Sequence, residues 1–211
     1  MFERIPEPEI MQNKDQCELY NQEFLDCPDI ILDFMDTYTE FCGLTEGTVV
    51  DLGSGSCNFV IALCKKYPRL KFTCYELSEE MIKISKKNII KENLNNRIEI
   101  IQDDFLNATG KFDLVIANRV LHHVSNTVKF WNIIETLSNN ILVCDLSRPN
   151  DINFTHISLT TDAINSFRSA YTIEEVKDQI KNYNYRISTK LLGHGFSKFT
   201  VATKSDTLYH S

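Results

Sequence analysis

Residues 49–59 read VVDLGSGSCNF: an apolar run that ends in an acid, then a turn with two glycines. Val49, Val50 and Leu52 suit a buried strand. Gly53 and Gly55 let the backbone turn sharply and come close to a ligand without a Cβ in the way. The following CNFVIALCKKY repeats apolar residues at helical spacing and stops before Pro68. Strand, glycine turn and helix in this order occur in folds that bind nicotinamide dinucleotides, nucleotide phosphates or S-adenosylmethionine. On its own the stretch leaves all three open.

Downstream, the same alternation continues. KFTCYE predicts a second strand, and SEEMIKISKKNII a helix with Ser78 as its N-cap and acids in its first turn. RIEII and FDLVIAN predict a third and a fourth strand, Thr127 to Leu137 a helix, and NILVCDL a fifth strand. This rhythm implies an α/β, Rossmann-like, mostly parallel sheet with helices on both faces. TIEEVKDQIKN then forms a helix with a Thr172…Glu175 capping box. YRISTKLL and FSKFTVATK follow, joined only by Gly193, His194 and Gly195. A link this short cannot cross over a sheet, so a C-terminal antiparallel hairpin completes seven strands. Upstream, Gln12 to Phe24 and Asp29 to Phe41 carry helical spacing, with Pro28 suited to a helix start.

The 211 residues carry 43% hydrophobic and 24% charged residues, enough for one sizeable core. Without repeats or linkers, residues 1–211 read as a single domain. It divides into a helical cap at 1–46, a cofactor-binding core at 47–146, a substrate lid at 147–170, and a C-terminal helix with hairpin at 171–205. The net charge of -7 opposes a surface that tracks phosphates, so no nucleic-acid partner is expected. No apolar run is long enough to span a membrane, and MFERIPEPEIMQNKDQ fits no signal or transit peptide, so the cytoplasm is the expected compartment. The seven cysteines include no C-x-x-C pair; no metal site and no disulfide framework are expected.

Ligands of open α/β sheets bind beyond the carboxyl ends of the strands. Those ends carry Asp51, Glu76, Asp103 with Asp104, Asn118, and Asp145. A carboxylate at 76 can accept from both hydroxyls of a ribose, and Asp104 can accept from an adenine amine with Phe105 beside the ring. Asn58 stands where the nicotinamide fingerprint needs its third glycine, and the P-loop lysine is absent. Asp51 before the turn would repel a pyrophosphate but suits an ammonium group. The charge pattern therefore favours S-adenosylmethionine.

At this point the chain resembles the class I S-adenosylmethionine-dependent methyltransferases. VVDLGSGSCNF looks like their first motif, with Cys57 in place of a further glycine. YELSEEMI is similar to their ribose-binding turn, IIQDDF to the adenine segment and FDLVIANRVLHHV to the fourth-strand motif. RIPEPEIM, DLSRP and NSFRSAYTIEEV are similar to segments of a group of small bacterial methyltransferases. The resemblance implies Asp51, Gly53 and Gly55 around the methionine end, Glu76 on the ribose and Asp104 with Phe105 on the adenine, with Ser54, Asn58, Leu77, Met81 and Asp103 also binding the cofactor. It also implies Asn118 beside the sulfonium and Tyr20 closing over the cofactor, with S-adenosyl-L-homocysteine as product.

Methyl transfer is an in-line displacement that needs alignment and, for an acceptor carrying a proton, a base. His122, His123 and Asp145 are the candidate catalytic residues. The two adjacent histidines are expected to point apart, so that at most one faces the site. Arg148, Asn165, Ser166, Arg168 and Tyr171 are the candidate substrate-binding residues, with Phe167 as wall. The expected partner is a small-molecule acceptor, and monomer and homodimer are equally allowed. A cofactor-binding sensor without catalysis is the alternative function.

Overall fold

A computed structural model describes residues 3–7, 11–149, 161–193 and 196–204. Seven strands form one sheet in the order β3-β2-β1-β4-β5-β7-β6. They are β1 Glu46–Leu52, β2 Arg69–Glu76, β3 Ile98–Gln102, β4 Leu114–Asn118, β5 Ile141–Ser147, β6 Tyr185–Gly193 and β7 Phe196–Thr203. The first five pair in parallel, whereas β7 lies antiparallel between β5 and β6. The short link deduced after β6 thus reverses the chain within the sheet. Residues 194–195 of that link lie outside the described residues.

Strand alternation divides the interior into two cores. Val49, Leu114, Ile116 and Leu142 face one side, against α2 (Pro28–Phe41) and α3 (Asn58–Lys66). Val50, Leu52, Val115, Ala117, Ile141 and Val143 face the other, against α5 (Thr127–Leu137) and α7 (Ile173–Ile180). On the first side, α4 (Glu79–Lys91) contributes Ile89, and α1 (Lys14–Asp26) packs outside α4. The parity puts Asp51 and Asn118 on the α3 side, and Asp145 on the α5 side.

Local chemistry sets the helix starts. Asn13 caps α1 by accepting from the Gln16 amide at 3.0 Å, and Ser78 caps α4 through the Met81 amide at 3.1 Å. Pro28 opens α2. Thr172 and Glu175 bond reciprocally at the start of α7, as their spacing predicts.

The span expected as a lid contains a helix that its sequence pattern does not announce. Residues 150–160 of that span lie outside the described residues, and Thr161–Ser169 form a helix, α6. The Thr, Asn and Ser content of the stretch is ordinarily a turn signal, because such side chains compete for backbone hydrogen bonds. Tertiary packing overrides it here. Phe167 stacks on Phe196 with ring centroids 4.2 Å apart, and Ser169 and Ala170 are buried.

Candidate active site

The glycine turn after β1 is pinned to β2. The amides of Gly53 and Ser54 both donate to the Tyr75 carbonyl, at 2.9 and 3.1 Å. Gly53 has φ +77°, and a Cβ there would stand 2.7 Å from Val120 Cγ2. Gly55 has φ +52°. Cys57 also adopts the left-handed conformation, at φ 60°, directly before α3. Arg119, immediately after β4, does so at φ 59°. Non-glycine residues in this region cost of order 1 kcal/mol or more and cluster at binding sites. Two of them follow β1 and β4, at the carboxyl edge of the sheet.

The acids follow. Asp51 is buried, and burial with the neighbouring Glu76 charge pushes its carboxyl up to about 7. Glu76 takes the Gly55 amide at 2.8 Å on one oxygen and the Ser78 amide at 2.8 Å on the other. Burial raises its pKa, and the amides of Ser78, Gly55 and Leu77 oppose the rise. A carboxylate has about four acceptor sites, so two hydrogen bonds leave capacity for ribose hydroxyls. Asp104 accepts from Leu106 N at 2.8 Å, and Asp103 from Asp104 N at 2.7 Å and Asn107 Nδ2 at 3.0 Å. These bonds fix the turn that carries Phe105, whose ring meets Phe130 edge-on at 6.0 Å. Leu77 is half-buried and Met81 is buried beside them.

Two buried polar atoms here have no hydrogen-bond partner: Ser54 Oγ in the glycine turn and Asn118 Nδ2 at the end of β4. An unsatisfied buried donor costs roughly 1–3 kcal/mol. One lies within the turn whose glycines keep Cβ atoms out, and the other at the end of β4, the strand beside β1. The residues present therefore fit a polar cofactor with a cationic end near Asp51.

Helix α1 closes over this cradle. Tyr20 Cε1 lies 3.7 Å from the Cβ position of Gly55. The Arg119 charge lies near the Tyr20 hydroxyl, and its guanidinium lies over the Phe24 ring, 5.6 Å from its centroid. Asn21 Oδ1 accepts from Asn58 Nδ2 at 3.1 Å and from Asn88 Nδ2 at 2.9 Å. Asn58 also donates to Ser56 Oγ at 2.9 Å. The Asn58 amide, expected against the methionine end, is thus committed to holding α1 on the loop. Sequence reasoning missed Asn21, Asn88 and Arg119, for which no local pattern speaks.

At the β5 side, Asp145 Oδ1 lies 2.8 Å from His122 Nδ1, and Asp145 Oδ2 accepts from the His122 amide at 2.9 Å. The Leu146 amide adds a third bond at 2.7 Å. Burial would raise the Asp145 pKa, but His122 and these hydrogen bonds outweigh it and hold the carboxyl below its usual range. The His122 and His123 rings do not point apart as expected. The 3-10 turn Leu121–His123 brings their centroids to 4.1 Å at a tilt of 39°. Both converge on Glu7.

The remaining candidates scatter. Arg148 is buried and its guanidinium is committed: Nη2 meets both Glu175 oxygens at 2.7 and 2.9 Å, and Nε donates to Ala170 O at 3.1 Å. It anchors α7 rather than lining a binding space. Asn165 and Arg168 are exposed on α6. Ser166 Oγ donates to Glu7 at 3.2 Å. Tyr171 donates its hydroxyl to Val124 O at 2.7 Å and lies under Arg4, 4.1 Å from the ring centroid.

A cleft of about 250 Å³ opens between α2 and the carboxyl ends of β4 and β5. Asn118, Arg119 and Asp145 line it, together with Asp33, Phe34 and Lys198. Asp33 is paired with Lys190 at 2.6 Å and with Lys198, and burial of its carboxyl is outweighed by these two ammonium groups, which lower its pKa. His122 and His123 do not border this cleft.

Residues 45–204 match the family described as methyltransferase domain. A demethylmenaquinone methyltransferase of Porphyromonas gingivalis is 31% identical over 109 residues, 48% of this chain and 44% of the relative. A ribosomal RNA small subunit methyltransferase C of Buchnera aphidicola is 35% identical over 77 residues, 36% of this chain and 22% of the relative. The chain thus spans less than half the length of these curated relatives. Among solved structures, a SAM dependent methyltransferase from Aquifex aeolicus shares the fold with a TM-score of 0.64, at 16% identity, covering 91% of this chain and 98% of that one. With a matched segment that runs from the start of β1 to the end of β7, the chain belongs to the methyltransferase domain family.

Proposed function

We infer that the enzyme methylates a small molecule bound in the cleft between α2 and the carboxyl ends of β4 and β5. The observation that carries this reading is the size and position of that cleft. At about 250 Å³ it falls below the range of roughly 300–1,000 Å³ typical of drug-sized ligands. It also touches both Asn118, at the methyl end of the cradle, and Asp145. The acidic balance of the chain points the same way, against a polyanionic acceptor. The curated relatives act on both quinones and RNA by their names, so the acceptor class is where this reading is exposed.

S-adenosylmethionine supplies a methyl group activated by its sulfonium. The protein's part is to hold and align. Asp51 receives the ammonium group, and the Ser54 hydroxyl donates to the carboxylate of the methionine end. Glu76 accepts from the ribose, with Leu77 and Met81 as its apolar walls. Asp104 and Phe105, on the turn fixed by Asp103, take the adenine edge and face. Asn118 directs its amide toward the reacting end, and Tyr20 on α1 excludes water. Asp145, kept ionised by His122, holds the turn after β4 from the opposite face of the sheet. Lys198 is paired with Asp33 in the cleft, and Asp29 and Arg119 border it as well, so its wall mixes both charges.

The test is S-adenosylhomocysteine release from purified enzyme offered, separately, a small-metabolite extract, ribosomal RNA and a protein extract. Turnover is expected with the metabolites, and Asn118→Ala lowers it. Methyl label in RNA or protein, with none in the metabolites, would overturn the reading.

A further inference from the structure

Among the described residues, one group of three potential metal ligands converges: Glu7, His122 and His123. Their ligand atoms all lie within 4.8 Å of one another. Two imidazoles and a carboxylate are a donor set for first-row divalent metals, zinc and cobalt included. Two donors each about 2.1 Å from a tetrahedral ion stand about 3.4 Å apart. His122 Nε2 and Glu7 Oε2 are 3.9 Å apart, and a side-chain closure of about half an ångström brings them to that spacing.

The groups around the cluster argue for more than proximity. His122 Nδ1 faces the buried Asp145 carboxylate at 2.8 Å, so the proton belongs on Nδ1 and Nε2 is presented toward Glu7. Carboxylate, histidine, then metal is the order by which proteins orient a ligating imidazole. The 3.9 Å between His122 Nε2 and Glu7 Oε2 is longer than a hydrogen bond and leaves a gap that a cation between them fills. Glu7 is itself fixed: Ser166 and Ser169 hydroxyls donate to its Oε2 at 3.2 and 3.3 Å.

The segment that delivers Glu7 is tied down along its length. Ile5 N donates to Arg168 O at 3.1 Å. Arg4 donates to Ser169 O at 2.6 Å and to His122 O at 2.8 Å. Residues 3–7 therefore form a strap between α6 and the histidine turn, and Glu7 enters the cluster from that strap.

We propose that Glu7, His122 and His123 form a binding site for one first-row divalent transition metal, with zinc as the reference ion. The site ties the strap to the 3-10 turn after β4, and its fourth position is open to water. It stands on geometry outside the cleft, so it holds or fails independently of the acceptor.

The experiment uses the full chain without an added histidine tag, stripped with a chelator and titrated with Co(II), then with Zn(II) in competition. The expected result is one Co(II) per chain, with a visible absorption band that Zn(II) abolishes. Glu7→Gln and His123→Ala each weaken binding about a hundredfold, while both variants keep the thermal shift given by S-adenosylhomocysteine. Binding to wild type no tighter than to a Glu7→Gln/His123→Ala double variant means an adventitious ion at another histidine, and overturns the site. Should a variant lose its thermal shift, X-ray absorption on the zinc-loaded wild type decides. Two imidazole nitrogens and carboxylate oxygen support the site, and fewer than two imidazoles sink it.

Discussion

The donor and acceptor halves of this site are built on different principles. The donor half, from β1 to the turn after β3, is assembled from consecutive strand ends, each giving its residue to the same edge of the sheet. The acceptor half is the cleft between α2 and the ends of β4 and β5, backed on its far side by the turn after β4, the strap at residues 3–7, and α6. Its contacts join residues as far apart as Arg4 and Ser169. A local site tolerates little change in its backbone and carries its charges uncompensated until a ligand arrives. A composite site is already neutralised by its own neighbours, as His122–Asp145 and Arg148–Glu175 are.

Substitution at Asp51 tests that contrast with the largest expected effect. The Asp51 pKa is raised from 3.8 to about 7 in the fold, so the folded state binds its proton more tightly than the unfolded state. This group's contribution is intact below about pH 3.8 and is lost as pH rises to about 7. The full penalty above pH 7 is at most about 4 kcal/mol. Asp51→Asn removes that slope and raises the melting temperature of the free enzyme at pH 8. The same variant loses affinity for S-adenosylhomocysteine, and the tightening of wild-type binding through about pH 7 disappears with it. If the variant is no more stable than wild type at pH 8, the donor half does not store its charge in this way.

Gly53→Ala comes next. The added Cβ would meet Val120 at 2.7 Å in a backbone conformation that disfavours side chains. The expected cost is about 3 kcal/mol of stability, with loss of cofactor binding by calorimetry. Trimming Val120 to alanine relieves the clash and leaves the φ strain, so the double variant recovers only part of the loss. Full recovery would show that the turn's conformation is not demanding.

In the acceptor half the corresponding test is Arg148→Met. Removing one partner of a buried ion pair is costly, though Glu175 is part-exposed and keeps its Thr172 bonds, so about 2 kcal/mol is expected. Because the guanidinium holds α7, the KM for the acceptor stays near the wild-type value once the protein is folded. A large rise in KM at unchanged stability would return Arg148 to the role its sequence position suggested.

These two halves also differ in how far they could be read in advance. Helix Thr127–Leu137, the Ser78 cap, the Thr172 capping box and the reversed hairpin follow from periodicity and short-range hydrogen bonding, and the structure has them. The acids and glycines of the donor half fall at strand ends, where sequence order and spatial order coincide in a parallel sheet. Glu7 has no such mark: it meets His122 only because the strap crosses α6. Asn58 was legible as a polar residue in the loop, but its partner Asn21 lies on a helix whose docking is a tertiary fact. Helix α6 was hidden by its Ser, Thr and Asn content, and shows how burial of Phe167 overrides propensity.

The smallest expected effect is at Asn21, where α1 is clipped to the donor half. Its Oδ1 takes hydrogen bonds from Asn58 and Asn88, and Asn88 reaches on to Ser56 O at 3.0 Å, so one carbonyl oxygen clips the helix to the loop. Asn21→Ala leaves two amide groups short of an acceptor, part-exposed and able to recruit water, for a loss of about 1 kcal/mol. The loss falls on closure rather than on the cradle. Cofactor affinity drops about fivefold through faster dissociation, measurable by stopped-flow, while the association rate holds or rises because α1 opens more often. Asn58→Ala is expected to match it, since both break the same clip. If Asn58→Ala instead weakens binding far more than Asn21→Ala, the Asn58 amide contacts the methionine end directly, and the boundary between the loop and its lid has to be redrawn.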